Sequence, residues 1–74
     1  MINLGKTVVY NTTQEERNMM AQDITKKPKT QLPGIIVEEH ENGTVDLQLF
    51  RKGLSPMDVE NVIQGTGEGQ YQIV

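Results

Sequence analysis

His40 is the only histidine in the chain, and Glu38, Glu39 and Glu41 crowd around it. An imidazole beside carboxylates suits a metal ion, so this stretch is the first place to look for metal chemistry. Side chains alternate along a strand, which leaves only His40 and Glu38 on one face. No second histidine and no cysteine completes the set. A weak surface site for a hard cation among Glu38, Glu39, Glu41 and Asp46 lacks the glycine-bearing ligand loop that calcium sites use. No metal site is therefore expected, and His40 reads as a solvated strand end.

General acid–base chemistry needs two carboxylates in a cleft that separates their pKa values. Acids are plentiful here, but a small domain whose interior is filled by side chains leaves no obvious pocket. Ser55 is the only serine, it lies beside Pro56 in a turn, and a nucleophile needs a positioned base. Gly65-Thr66-Gly67-Glu68-Gly69 lacks the spacing of a phosphate-binding loop. It carries Glu68 where an anion would sit, and no helix follows it. It reads as a hairpin turn. No catalytic residue and no cofactor is expected, and the chain is read as a non-enzyme.

Lys26, Lys27 and Lys29 form the one basic cluster. They offer a contact for nucleic acid, or else a solvated connector. The rest of the chain argues against phosphate partners. Residues 1–29 carry five basic and three acidic side chains, residues 30–74 two and seven, so the halves are +2 and −5. Nonspecific affinity for nucleic acid comes mainly from lysine and arginine, of which the longer part has only two against seven acids.

These side chains must be positioned by a single thin-cored domain over 1–74, because 74 residues with 35% apolar content can build one core and no more. With no cysteine, disulfides and thiolate zinc sites are excluded. The opening MINLGKTVVYNTT has no apolar run long enough for a signal peptide or a membrane span, so export by the general route is not expected.

Thr7-Val8-Val9-Tyr10 reads as a strand. Thr12 and Glu15 have capping-box spacing, Glu15 and Glu16 favour a helix N-terminus, and Met20 and Ile24 share a face. The spacing predicts a helix over about 13–24, then a polar connector over about 25–33. Ile35-Ile36-Val37 begins a second strand. In Thr44-Val45-Asp46-Leu47-Gln48-Leu49 the three apolar residues face one way. Asn42-Gly43 marks a hairpin. A three-residue turn, Glu41-Asn42-Gly43 with Gly43 left-handed, sets Leu47 opposite Val37 and Leu49 opposite Ile35, apolar against apolar. It also sets Glu38 opposite Asp46, so that outer face must be wet. Met57 to Ile63 reads as a strand with a bulge near Asn61-Val62, and Tyr71 to Val74 as the last. Five short antiparallel strands are too few for a two-layer sandwich at this length. They fit an SH3-like five-stranded small barrel with one short helix inserted after the first strand.

The chain resembles small uncharacterised proteins of tailed bacteriophages and prophages with SH3-like barrels. The resemblance rests on Gly5-Lys6-Thr7-Val8-Val9-Tyr10, Pro33-Gly34-Ile35-Ile36-Val37, the element Val45-Asp46-Leu47-Gln48-Leu49-Phe50-Arg51-Lys52-Gly53, and Val59-Glu60-Asn61-Val62 followed by Gly65 to Gly69, Gln70 and Tyr71. Asp46 stands where that group usually has asparagine, and Tyr71 where it has tryptophan. About two thirds of the chain is covered, mostly core and turn positions, so no binding residue carries over. The resemblance implies a phage or prophage accessory or assembly protein, in the host cytoplasm or associated with the virion.

With Leu47 and Leu49 inward, Phe50 points outward, and the same register puts Ile36 beside it. The expected interaction surface is Ile36 and Phe50 rimmed by Arg51 and Lys52. Either the helix of the same chain covers it or another protein does, including a second copy.

Overall fold

The computed structural model describes residues 3–20 and 30–74. The element order is β1 (Thr7–Asn11), α1 (Gln14–Met20), β2 (Gln31–Glu39), β3 (Val45–Leu49), β4 (Met57–Gln64) and β5 (Gln70–Ile73). The strands close in the order β1-β2-β3-β4-β5, with β5 returning to β1, so the chain forms the SH3-like five-stranded barrel. No helix among the described residues is long and apolar enough to cross a membrane.

Closure follows from alternation. Val45, Leu47 and Leu49 all point inward from β3, and Leu32 and Ile36 meet them from β2. Val8 and Tyr10 of β1, Val62 of β4 and Tyr71 of β5 complete the interior. Gly34 lies on the inward side of β2 because nothing larger fits there. A Cβ at that position would stand 2.6 Å from the Gln48 carbonyl oxygen and 2.8 Å from Leu49 Cδ2.

The hairpin between β2 and β3 has the expected three-residue turn. His40 N–H donates to Thr44 O at 2.9 Å, Gly43 N–H donates to His40 O at 3.1 Å, and Gly43 has φ +90°. Glu38 lies opposite Asp46, as that turn requires. Beyond them the expected register fails. A bulge between Ile36 and Glu38 sets Leu47 opposite Ile36 and Leu49 opposite Gly34. Ile36 is therefore a core residue, 1% exposed, and Val37 faces solvent at 45%. The bulge absorbs one extra residue in β2 and so reverses which of its side chains point inward. The predicted pairing of Ile35 and Val37 with the leucines is overturned, as is the outward placing of Ile36.

Other expectations shift less. β2 begins at Gln31, so Pro33 lies in a strand and not in a connector. Phe50 N–H donates to Pro33 O at 2.8 Å just past the end of β3. A proline is tolerated there because β3 runs no further to need its missing N–H. The second bulge falls where expected: Asn61 has φ 56°, and the β3–β4 register shifts between Val45 and Leu47. The segment Gly65–Gly69 is not a hairpin turn, because β4 and β5 pair in parallel, Ile63 with Gln70 and Gln64 with Tyr71. The glycines instead let the chain turn a corner so that β5 can close on β1.

The helix starts one residue later than its sequence suggests. Glu16 N–H donates to Thr13 Oγ1 at 3.1 Å and Thr13 N–H to Glu16 Oε1 at 2.8 Å, so the capping box is Thr13 to Glu16. Thr12 is buried instead, with its hydroxyl donating to Thr30 O at 3.0 Å. Tyr10 donates its hydroxyl to the same Glu16 carboxylate at 2.8 and 2.9 Å, and Arg17 reaches Glu68 at 3.3 Å. The helix is thus tied to the barrel by polar contacts. Ile24 and the residues from Ala21 to Lys29 lie outside the described residues.

Candidate interaction surface

The outer face of β2, β3 and β4 carries the candidate residues. Continuing the register from Gly34 and Leu49 puts Pro33 beside Phe50, the Phe50–Pro33 hydrogen bond confirming the step. Phe50 is 42% exposed, so the described part of α1 does not cover it. Ile35, paired with Gln48 and also outward, is half-buried on the diagonal. The next outward apolar residue along β2 is Val37. The surface therefore runs Phe50, Ile35, Val37, and Ile35, opposite Gln48, takes the place expected of Ile36. The alternation of Leu32, Gly34 and Ile36 against Pro33, Ile35 and Val37 is the sequence signal that separates the two faces. Three β-branched residues in a row at 35–37 hide it.

The two ends of this face differ in charge. Beyond Phe50 come Arg51 and Lys52. Arg51 is fixed by its guanidinium, which donates from Nε and Nη2 to Ser55 O at 3.2 and 2.7 Å, while Lys52 is exposed. Towards the hairpin tip the outward residues are Glu38, Asp46 and Glu60, with Asp58 opposite Gln48 at the middle of the face. A shallow depression of ≈ 260 Å³ lies among Val37, Asp46, Gln48, Asp58 and Glu60. Strand geometry places about 13 Å between Phe50 and Asp46, four residues apart along β3.

At the acidic end His40 Nε2 lies 2.8 Å from Asp46 Oδ1, and Asn61 N–H donates to the same oxygen at 3.0 Å. The hydrogen bond to Asp46 raises the His40 pKa, and the charges of Asp46, Glu38 and Glu60 add to it against a lowering by burial. The hydrogen bonds from His40 and from the Asn61 backbone hold the Asp46 carboxyl below the usual carboxylate range. Asp46 thus joins His40 and Glu38 from the facing strand. The facing of Glu38 and Asp46 follows from the three-residue turn expected from the sequence, whereas alternation within one strand could not reveal the bond of His40 to Asp46.

A second depression, ≈ 290 Å³, lies where β1, the start of α1 and the glycine segment meet. Asn11, Thr12, Arg17 and Glu68 line it. Gln14 N–H and Arg17 both bond to Glu68, which therefore supplies the negative charge favoured at a helix N-terminus. Asn11 Oδ1 accepts from Gln31 at 3.0 Å. Lys26, Lys27 and Lys29, the alternative nucleic-acid contact, lie outside the described residues. Comparison with family models, with curated proteins and with solved structures finds no match to this chain.

Proposed function

We propose that this chain is a non-enzymatic binding barrel that acts by protein–protein contact, and that the partner its outer face fits best is a second copy of itself. The role inherited from the sequence resemblance is that of a phage or prophage accessory or assembly protein. The observation that carries the self-contact is the order of residues along the face. Measured from the central pair Ile35 and Gln48, Phe50 lies two residues one way, and Val37 with Asp46 two residues the other. A two-fold axis through that centre lays Phe50 of each copy against Val37 of the other. It also brings the Arg51 and Lys52 end to the acidic end of its mate. Two-fold contacts need such self-complementary patches, and an apolar centre between polar flanks matches the composition of protein interfaces.

Sedimentation equilibrium of the purified chain tests this. A dimer is expected, weakened by added salt because its flanks are charged and exposed. Phe50→Glu puts a carboxylate against Val37 and Asp46 of the other copy, so it should yield a monomer with unchanged circular dichroism. A wild-type chain that stays monomeric at several hundred micromolar, or a Phe50→Glu chain that dimerises as well as wild type, overturns the reading.

A further inference from the structure

The described barrel has one cluster of mixed donors, and it lies at the tip of the β2–β3 hairpin. Ligand atoms of Glu38, His40 and Asp46 all fall within 4.8 Å of one another. We propose that these three side chains bind a divalent transition-metal ion of the zinc class.

The donor set decides the class. One imidazole nitrogen and two carboxylates suit Zn2+, Ni2+ or Cu2+, whereas Ca2+ and Mg2+ seek oxygen ligands throughout. The geometry is close to what such an ion needs. With metal–ligand bonds of 2.0–2.2 Å in tetrahedral array, ligand atoms stand about 3.3 Å apart. His40 Nε2 and Asp46 Oδ1, now at 2.8 Å, need only open by roughly half an ångström to admit it. Glu38 is exposed, faces Asp46 across the hairpin, and has the remaining ångström or so to close.

Two further features favour occupancy. Asn61, held at φ 56° by the bulge in β4, donates its N–H at 3.0 Å to Asp46 Oδ1, the oxygen that faces His40, and so fixes where that oxygen lies. Outer hydrogen bonds of this kind tune ligands in metal sites. The charge is also lopsided. Glu60 adds a third negative charge near His40, and the ion pairs among the described residues bring no lysine or arginine to Glu38, Asp46 or Glu60. A dication would relieve that excess. Three protein ligands at an exposed position leave the remaining coordination to water.

The single histidine makes the test clean. The untagged full chain is titrated with ZnCl2 by calorimetry, while the ring protons of His40 are followed by NMR. One Zn2+ per chain is expected, with the His40 signals shifting in step and MgCl2 leaving them in place. His40→Gln, a half-exposed position at the hairpin tip, should weaken Zn2+ binding roughly tenfold or more, with the fold checked by circular dichroism. Glu38→Gln, at an exposed position, should weaken it as well. Binding of equal affinity in wild type and His40→Gln puts the ion elsewhere and overturns the proposal. So does an absence of saturable binding, or a His40 ring unmoved by bound Zn2+.

Discussion

Replacing Ile36 and Val37 in separate variants tests the bulge on which the outer surface depends. Ile36 is 1% exposed and packs in the core with Leu47, while Val37 is 45% exposed. Ile36→Ala removes a buried branched side chain and leaves a cavity, a loss of about 2–5 kcal/mol in comparable cores. A domain of this length has about 4–11 kcal/mol of total stability, so the variant approaches the limit of folding. At roughly 4–8 °C per kcal/mol, its Tm should fall by at least about 8 °C. If Ile36→Ala does not fold, Ile36→Val should still cost about 0.5–1.5 kcal/mol. Val37→Thr keeps the β-branched shape and turns a hydroxyl towards water, so its effect should stay within about 0.5 kcal/mol. Had the unbulged register held, the ranking would invert. That hydroxyl would then enter the core at a cost of about 1–3 kcal/mol, and Ile36 would be the tolerant position. Thermal unfolding followed by circular dichroism reads both. A Val37→Thr chain less stable than Ile36→Ala would refute the register and the surface built on it.

Gly34→Ala should destabilise by about 1–3 kcal/mol, because the new Cβ meets main-chain and core atoms on β3 that have little room to move; urea unfolding measures it, and an unchanged midpoint would contradict the close approach. Both tyrosines should titrate late. Tyr10 is raised well above the ordinary phenol by burial and by the Glu16 carboxylate, Tyr71 by burial and by Glu39. Since the fold favours the protonated phenols, their contribution to stability is complete below about pH 10. It is lost as the pH rises above that value. With no tryptophan in the chain, tyrosinate absorbance should rise later in the folded barrel than in the unfolded chain. Tyrosinate forming near pH 10 with the circular dichroism intact would contradict the buried hydroxyls.

Local chemistry was legible in the sequence wherever one segment could decide it alone. The left-handed position after Asn42 demanded a glycine, and Gly43 occupies it. The inward set Val45, Leu47 and Leu49 followed from strict alternation with Asp46 and Gln48. Asn61 announced a bulge by breaking the pattern around it. The sequence favours a helix onset one residue early because Thr12 and Thr13 both offer a hydroxyl with an acid three positions on. Only the barrel, by burying Thr12 against Thr30 and aiming Glu16 at Tyr10, selects between them.

The sequence by itself thus determined a one-core β-barrel with a marked hairpin, because turn residues and period-two patterning act over a few neighbours. Tertiary structure alone decided the face to which Ile36 belongs, the parallel pairing of the last two strands, and the bond of His40 to Asp46. The reason is common to all three. Each depends on contacts between strands that the pattern of no single strand encodes, and at Ile36 one bulged residue exchanges inside for outside without altering the composition of either strand.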